Sequence, residues 1–457
     1  MSKPQGAALY ESAEKIYPRE ISGRFDRLSR IATITLLGLF YVVPWLTWDD
    51  RQAVLFDLPA RKFHIFGLTL WPQDFPYLAL LLIILAYSLF FFTAIAGRLW
   101  CGFACPQTVW TEIFIWMEQW TEGTRSQRMK LDKAPWSWNK FRRKFAKQFL
   151  WITFAMWTGF TFVGYFQPIR QLAVDIVALS VGGWTLFWGL FYGFATYGNA
   201  GYMREQVCKY MCPYARFQSA MFDKDTLIIS YDEERGEPRG SRKRTDDPKE
   251  KGLGDCIDCQ LCVQVCPTGI DIRKGLQYEC IACAACIDAC DSIMDRMSYP
   301  RGLIRYTTDN ALHHEKSRLL RPRVLIYATL LLVLVGLLVT SINMRTPVIL
   351  DIIRDRNTLY RELPNDVVEN IYTLKIINQG DHARQFDLGV SGIEGIELDG
   401  VPDPFEVAGG DVASLPVRVR VQRENSHGIN DIEFTITAAD DPNITLTEDS
   451  RFLGPTP

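Results

Sequence analysis

Histidine is scarce in this chain. Its 457 residues include five, His64, His313, His314, His382 and His427. No apolar stretch carries two of them at helical ligand spacing, which leaves a b-type haem between membrane helices without axial ligands. A strand–helix G-x-G-x-x-G is also missing, so there is no fingerprint for NAD or FAD. Formal net charge is only −2, and no basic patch is interleaved with aromatics, which argues against a nucleic-acid partner. No cysteine follows Cys290. The C-terminal region therefore has neither a disulfide brace nor a thiolate to offer a metal. The first apolar stretch begins too late, and lacks the A-x-A site, to be a cleavable signal peptide.

Cysteine, by contrast, is clustered. Eight of the 12 cysteines form two runs, Cys256-x2-Cys259-x2-Cys262-x3-Cys266-Pro267 and Cys280-x2-Cys283-x2-Cys286-x3-Cys290-Asp291. This is the spacing of a bacterial two-cluster ferredoxin, in which the fourth cysteine of each run serves the other run's cluster. One [4Fe–4S] cluster is expected on Cys256, Cys259, Cys262 and Cys290. The second is expected on Cys280, Cys283, Cys286 and Cys266. Soft thiolates suit iron–sulfur clusters, and short spacing wraps backbone amides toward the cluster sulfurs. Disulfide scaffolds belong to short secreted chains, and zinc sites space their C-x2-C pairs more widely, so neither explains the doubled run. Asp291, standing where a second proline is expected, alters a turn and removes no ligand.

Five apolar stretches, at 31–48, 76–96, 149–166, 183–200 and 324–342, approach the ~20 residues needed to cross ~30 Å of hydrocarbon. Residues 103–120 are partly apolar but carry Glu112 and Glu118, and read as a lipid-surface or bundle-packed helix. Lys15, Arg19, Arg24, Arg27 and Arg30 precede the first stretch, and residues 125–147 are strongly basic, whereas 167–182 carries Arg170 alone. The positive-inside rule places the N-terminus and the cysteine-rich insert in the cytoplasm. From Met344 onward, 20 acidic residues face 10 basic ones; the totals of 52 and 50 leave 32 and 40 for the first 343 residues.

The expected organisation is a multidomain membrane protein. Residues 1–202 hold a loosely ordered polar segment (1–22) and four spans of an α-helical bundle. Residues 203–322 form a cytoplasmic segment with an α+β ferredoxin-like domain at 250–300 and a linker at 232–254. The fifth span is 323–343. Residues 344–457 form an all-β sandwich, read from alternating runs at 371–377, 414–421 and 431–438 that are separated by turn signals at 378–380 and 409–411.

The other four cysteines make an internal echo, Cys101-x3-Cys105-Pro106 and Cys208-x3-Cys212-Pro213. They follow the second and fourth stretches. On a helix, i and i+4 share one face, so both thiols of a pair are expected to point the same way. The proline can begin a helix or end the preceding one. Brought together, four sulfurs make a soft site suited to copper or to a further iron–sulfur centre. Met203, Met211 and Met221 could add thioethers or simply pack in the bundle.

The run Trp100-Cys101-Gly102-Phe103-Ala104-Cys105-Pro106-Gln107-Thr108-Val109-Trp110 and the run Glu205-Gln206-Val207-Cys208-Lys209-Tyr210-Met211-Cys212-Pro213-Tyr214 carry a resemblance. With the double ferredoxin motif, one more span and an exported β-domain after them, the chain resembles the cytochrome c oxidase accessory protein family, FixG/RdxA/CcoG, over almost its whole length. The resemblance implies a bacterial inner-membrane protein with an immunoglobulin-like periplasmic C-terminal domain. It also implies reduction of Cu(II) to Cu(I) for assembly of a cbb3-type oxidase, with copper-trafficking proteins and the assembly machinery as partners. Electrons would pass through the two clusters to copper at the catalytic set Cys101, Cys105, Cys208 and Cys212, from an unspecified donor. Two readings compete. One is a NapH-like quinol dehydrogenase subunit, similar over the first four spans but with no need of the acidic sandwich. The other is a non-catalytic assembly factor with structural clusters.

Overall fold

A computed structural model describes residues 15–48, 51–246, 252–355, 358–380, 382–402 and 405–455. The chain divides into two compact units, 1–64 with 72–337, and 65–71 with 338–457. The first unit contains α1 (Arg24–Val42), α2 (Phe75–Ala96), α3 (Leu99–Phe103), α4 (Pro106–Glu122), α5 (Arg125–Lys133), α6 (Trp138–Val163), α7 (Ile169–Val177), α8 (Gly183–Thr196) and α9 (Pro213–Met221).

Among the described residues, three helical segments are long and apolar enough to cross a membrane: Arg24–Trp45, Pro72–Ala96 and Pro322–Asn343. They correspond to the first, second and fifth expected stretches. The third and fourth fall in α6 and α8, which do not qualify, so five expected spans become three by this measure. The 26 residues of α6 open with Lys140, Arg142, Arg143, Lys144 and Lys147. The α-helical part of α8 is 14 residues long and passes into a π-helix at Tyr197–Met203. The two helices still pair closely. A Cβ on Gly159 would stand 2.1 Å from the Gly189 carbonyl oxygen. Small residues of this kind let helices approach where no hydrophobic force drives them together.

Residues 15–22, expected to be loose, are pinned. Arg128 Nη2 donates to Pro18 O at 2.7 Å, Arg125 Nε to Tyr17 O at 2.8 Å, and Arg19 N to Gln264 O at 2.9 Å. Residues 1–14 of that segment lie outside the described residues. As a bundle-packed helix, α4 buries Val109, Phe114, Glu118 and Glu122.

The cysteine-rich insert is built on an antiparallel pair, Ile228–Tyr231 with Ile304–Thr307, and on the helix Ala285–Met297. Ile229, Met294, Leu303 and Ile304 form its core. Part of the expected linker packs onto it, since Gly254 N donates to Pro238 O and Asp255 N to Arg235 O, both at 2.9 Å. Residues 247–251 of that linker lie outside the described residues.

Among the described residues of the second unit, two antiparallel sheets make the sandwich. One orders Glu397–Asp399, Val412–Gln422, Val367–Asn378 and Val348–Arg354, with Arg361–Leu363 also on Val367–Asn378. The other orders Glu406–Val407, Arg384–Ser391, Ile429–Ala438 and Thr445–Leu453. Buried and exposed positions alternate along Val412–Gln422, as the period of two requires. Tyr372 and Phe434 meet edge-to-face at 5.2 Å between centroids, and Tyr372 Oη donates to Arg451 O at 2.8 Å. The turn at Asn378 is closed by Gly410 N, whose positive φ of 67° suits glycine.

Candidate redox centre

Each cysteine run folds as a loop that leads into a helix, Leu261–Gln264 in the first and Ala285–Met297 in the second, and borders a cavity. One cavity is lined by Cys256, Cys259, Cys262 and Cys290. The other is lined by Cys266, Cys280, Cys283 and Cys286, with Cys262 on its wall as well. The fourth cysteine of each run thus faces the cavity of the other run, and Cys262 borders both. The backbone repeats too. Asp258 and Gln260 flank Cys259 with φ of 49° and 55°, and Ala282 and Ala284 flank Cys283 with φ of 57° and 63°. Left-handed residues between right-handed ones turn successive N–H groups into a concavity that favours an anionic group. Four non-glycine residues in this region store strain of ~1–2 kcal/mol each, an arrangement that persists where the surroundings hold it in place. Asp291 does not alter a turn as expected: it lies inside the helix Ala285–Met297, where a proline would remove a helical hydrogen bond, and its Oδ1 accepts from Gly302 N at 3.0 Å.

Burial lifts the Cys262 and Cys280 thiols to about 11 and Cys290 to about 12, with neighbouring thiols adding to the rise. Thiols in such surroundings release their protons when a cation or cluster binds and becomes the largest local charge. Among the described residues, no three His, Cys, Asp or Glu side chains gather tightly enough to grip one ion. A four-iron cubane spaces its ligands more widely than a single ion does. The chemistry of the donor set, the paired cavities and the amide concavities fit such clusters, which when bound supply one-electron carriers.

The C-x3-C-P motifs correct the expectation of a shared helix face. Cys101 lies on α3, but Cys105 is the extended N-cap of α4, at φ −62° and ψ 129°. Cys208 lies on a π-helix, Val207–Met211, and Cys212 is the extended N-cap of α9, at φ −79° and ψ 110°. In both motifs the proline takes the first helical position, where its missing N–H costs nothing. The echo is therefore one of structure as well as sequence. The four thiols lie within electrostatic reach of one another. Burial raises Cys101 to about 11, with Cys105 and Cys212 adding to it, and raises Cys208 to about 12, with Cys105, Cys101 and Cys212 adding to it. Met203 and Met211 are exposed, so neither packs inside the bundle.

Side chains that the sequence reading did not single out hold this arrangement. Gln107 Nε2 donates to Asn199 O at 2.9 Å and to Arg204 O at 3.1 Å, tying α4 to the segment before Cys208. Arg204, left-handed at φ 41°, donates to Glu118 Oε2 at 2.8 Å. Cys101 Sγ meets Gln218 Oε1 at 3.5 Å. Arg98 is buried and donates to the carbonyls of Tyr278, Cys280 and Ala215, joining the second ferredoxin run to the residues after Cys212. One signal for Arg98 was available: it is the only charge between Asp74 and Glu112. Gly102, inside the first C-x3-C-P motif, sits against Ile281 and Ala282, inside the second ferredoxin run. A Cβ there would stand 2.8 Å from each of their carbonyl oxygens.

Fold and site together define a membrane-associated iron–sulfur protein with a ferredoxin-like insert and a C-terminal β-sandwich. A family model for a 4Fe-4S dicluster domain matches residues 203–309, one for a 4Fe-4S binding domain matches 78–124, and one for the IG-like fold at the C-terminal of FixG matches 338–455. The chain is 40% identical to Protein RdxB of Cereibacter sphaeroides, over 85% of this chain and 84% of that protein. It is 37% identical to the nitrogen fixation protein FixG of Rhizobium meliloti, over 84% of this chain and 80% of that protein. Protein RdxA of Cereibacter sphaeroides is 38% identical, over 87% of this chain and 85% of that protein. The chain belongs to the FixG/RdxA family of iron–sulfur oxidoreductases.

Proposed function

We propose that this protein reduces Cu(II) to Cu(I) at the four C-x3-C-P cysteines, using electrons from two [4Fe–4S] clusters ligated in the crossed pattern, in copper supply for cbb3-type oxidase assembly. The observation that carries this reading is the contact of Gly102 with Ile281 and Ala282, which puts one motif's backbone directly on the other's. Each turnover takes one electron from the insert into one Cu(II). Thiolates favour Cu(I) and so help the reduction. Arg98 and Gly102 hold the two regions in register, and Gln107 and Arg204 hold the two motifs together. The partners are copper-trafficking proteins and the oxidase assembly machinery. Five spans, with the insert cytoplasmic and the sandwich periplasmic, follow from the loop charges, and the tight pairing of α6 with α8 supports counting both as spans.

A second reading has its own support. The 4Fe-4S binding domain model covers 78–124, where Cys101 and Cys105 are the only cysteines. On that reading the four cysteines carry a third iron–sulfur centre that passes electrons onward, as in a NapH-like electron-transfer subunit. One experiment separates the two. Double Cys→Ala replacement at Cys101 and Cys105, or at Cys208 and Cys212, abolishes Cu(II) reduction, read with a Cu(I)-specific chelator. On the copper reading, iron stays at about eight per chain in both mutants and in the parent. Undiminished copper reduction in both mutants sinks the copper assignment, and loss of iron from a fuller parent favours the third centre.

A further inference from the structure

A cavity of about 180 Å³ opens between α1, α4 and the cysteine-rich insert. Its wall includes Cys208 of the second C-x3-C-P motif and Cys283 of the second ferredoxin run. The cavity thus borders both cysteine regions. Phe25, Ile115, Trp116 and Val265 make much of the lining apolar. Glu112 lies in the same wall, with its Oε2 held by Ser29 Oγ at 2.9 Å and Thr33 Oγ1 at 2.8 Å. These two donors leave the carboxylate as an acceptor facing a chamber whose wall also carries Arg19, Asp26, Arg30 and Arg204. A cavity of roughly 150 Å³ accepts benzene, so this one admits a single substituted ring. One wall is α1, part of a candidate membrane helix.

From this we infer that the cavity is a quinol site through which a lipid-soluble benzoquinol delivers the electrons, with Glu112 as the proton acceptor. The site rests on the reading of both cysteine regions as redox centres. Oxidation of the quinol breaks two O–H bonds and releases two electrons and two protons. The two cysteine sets would hold clusters that supply one-electron acceptors, one for each electron; Glu112 takes one proton, and water at the mouth takes the other. Two Cu(II) ions are then reduced in succession, and the quinone departs. Burial pushes the Glu112 carboxyl upward, against the hydrogen bonds from Thr33 and Ser29 that hold it down.

The test uses full-length, cluster-loaded protein in lipid nanodiscs under nitrogen, with a short-chain dimethoxybenzoquinol as probe. Wild-type protein binds it saturably in equilibrium dialysis, and binding bleaches the iron–sulfur absorbance. Ile115→Trp fills the cavity and weakens binding by at least about tenfold. Glu112→Gln keeps the shape, binds within about threefold, and slows quinol-driven cluster reduction roughly a hundredfold. Dithionite reduces the clusters equally in all three proteins. The site is overturned by absence of saturable binding in wild type, by wild-type binding in Ile115→Trp, or by wild-type quinol-driven reduction in Glu112→Gln. Dithionite-driven Cu(II) reduction tests the copper reading separately, because it bypasses the cavity.

Discussion

The insert and the C-x3-C-P site place sulfurs by opposite means. In the insert, short loops and the helices that follow them do the work: left-handed residues on both sides of Cys259 and Cys283 bend the chain around a cavity, and most cysteines of a set lie within a few residues. At the C-x3-C-P site, helix ends do it. Cys105 and Cys212 cap α4 and α9, which come from distant parts of the chain; Gln107 and Arg98 donate to the carbonyls of Arg204 and Ala215, and Arg204 donates to the Glu118 carboxylate. A loop site depends on its own cysteines, whereas a helix-end site depends on groups elsewhere.

The largest effect should come from breaking the loop sites at their crossing. Cys266→Ala should cost the cluster built mainly by the second run, and Cys290→Ala the one built by the first, each lowering iron from about eight to about four per chain. If Cys266→Ala leaves the second run's EPR signal at full strength, the crossed assignment is wrong.

Next comes the junction between the two sites. Gly102→Val puts a branched side chain where even a Cβ would be 2.8 Å from two backbone oxygens. Both clusters should keep their spectra, while electron passage to Cu(II) falls by about tenfold or more, since misplacement of ~1 Å can cost a hundredfold. Unchanged Cu(II) reduction with dithionite would show that this contact is not the route.

Glu118→Gln probes the dependence on remote groups. Glu118 is fully buried and meets Arg204 at 2.8 Å and Arg128 at 3.5 Å. Removing its charge strands these cations, at a cost of about 3–5 kcal/mol in thermal unfolding, with both ferredoxin signals retained in the folded fraction. Burial alone would raise this carboxyl, but Arg204 and Lys15 outweigh it and lower it from 4.5 to about 2. The pair's stabilisation is thus present above pH ~4.5 and lost as pH falls toward 2, so the wild-type advantage over Glu118→Gln should shrink across that window.

The smallest effect is expected from Gln107→Ala, which frees two carbonyl acceptors for about 1–3 kcal/mol. It should loosen the C-x3-C-P site and leave the loop sites as they were. A matching loss of ferredoxin iron would erase the distinction between the two designs.

That same distinction explains what the sequence disclosed. A set of cysteines carried on one short stretch is written in its spacing, and the doubled run corresponds to two cavities, each bordered by the fourth cysteine of the other run. The sandwich was equally legible, because alternation at 371–377 and 414–421 is local. The helix-end site was half legible. Its four cysteines and two prolines were visible, but the break between Cys101 and Cys105 was not, since C-x3-C also suits a continuous helix. Arg98, Gln107 and Gly102 act through backbone carbonyls, whose identity leaves no mark in the partner's sequence. The third and fourth apolar stretches were only partly legible for a related reason. Composition shows a hydrophobic run, but not that α8 would end after 14 residues in a π-helix.

The two prolines have one more consequence. Pro106 and Pro213 each start a helix directly behind a sulfur-bearing residue, so two helix N-termini converge on one site. Each N-terminus favours added negative charge by about 0.3–1 kcal/mol. On the function proposed above, each electron taken up adds one such charge, and the paired N-termini shift the equilibrium of the site toward its reduced form.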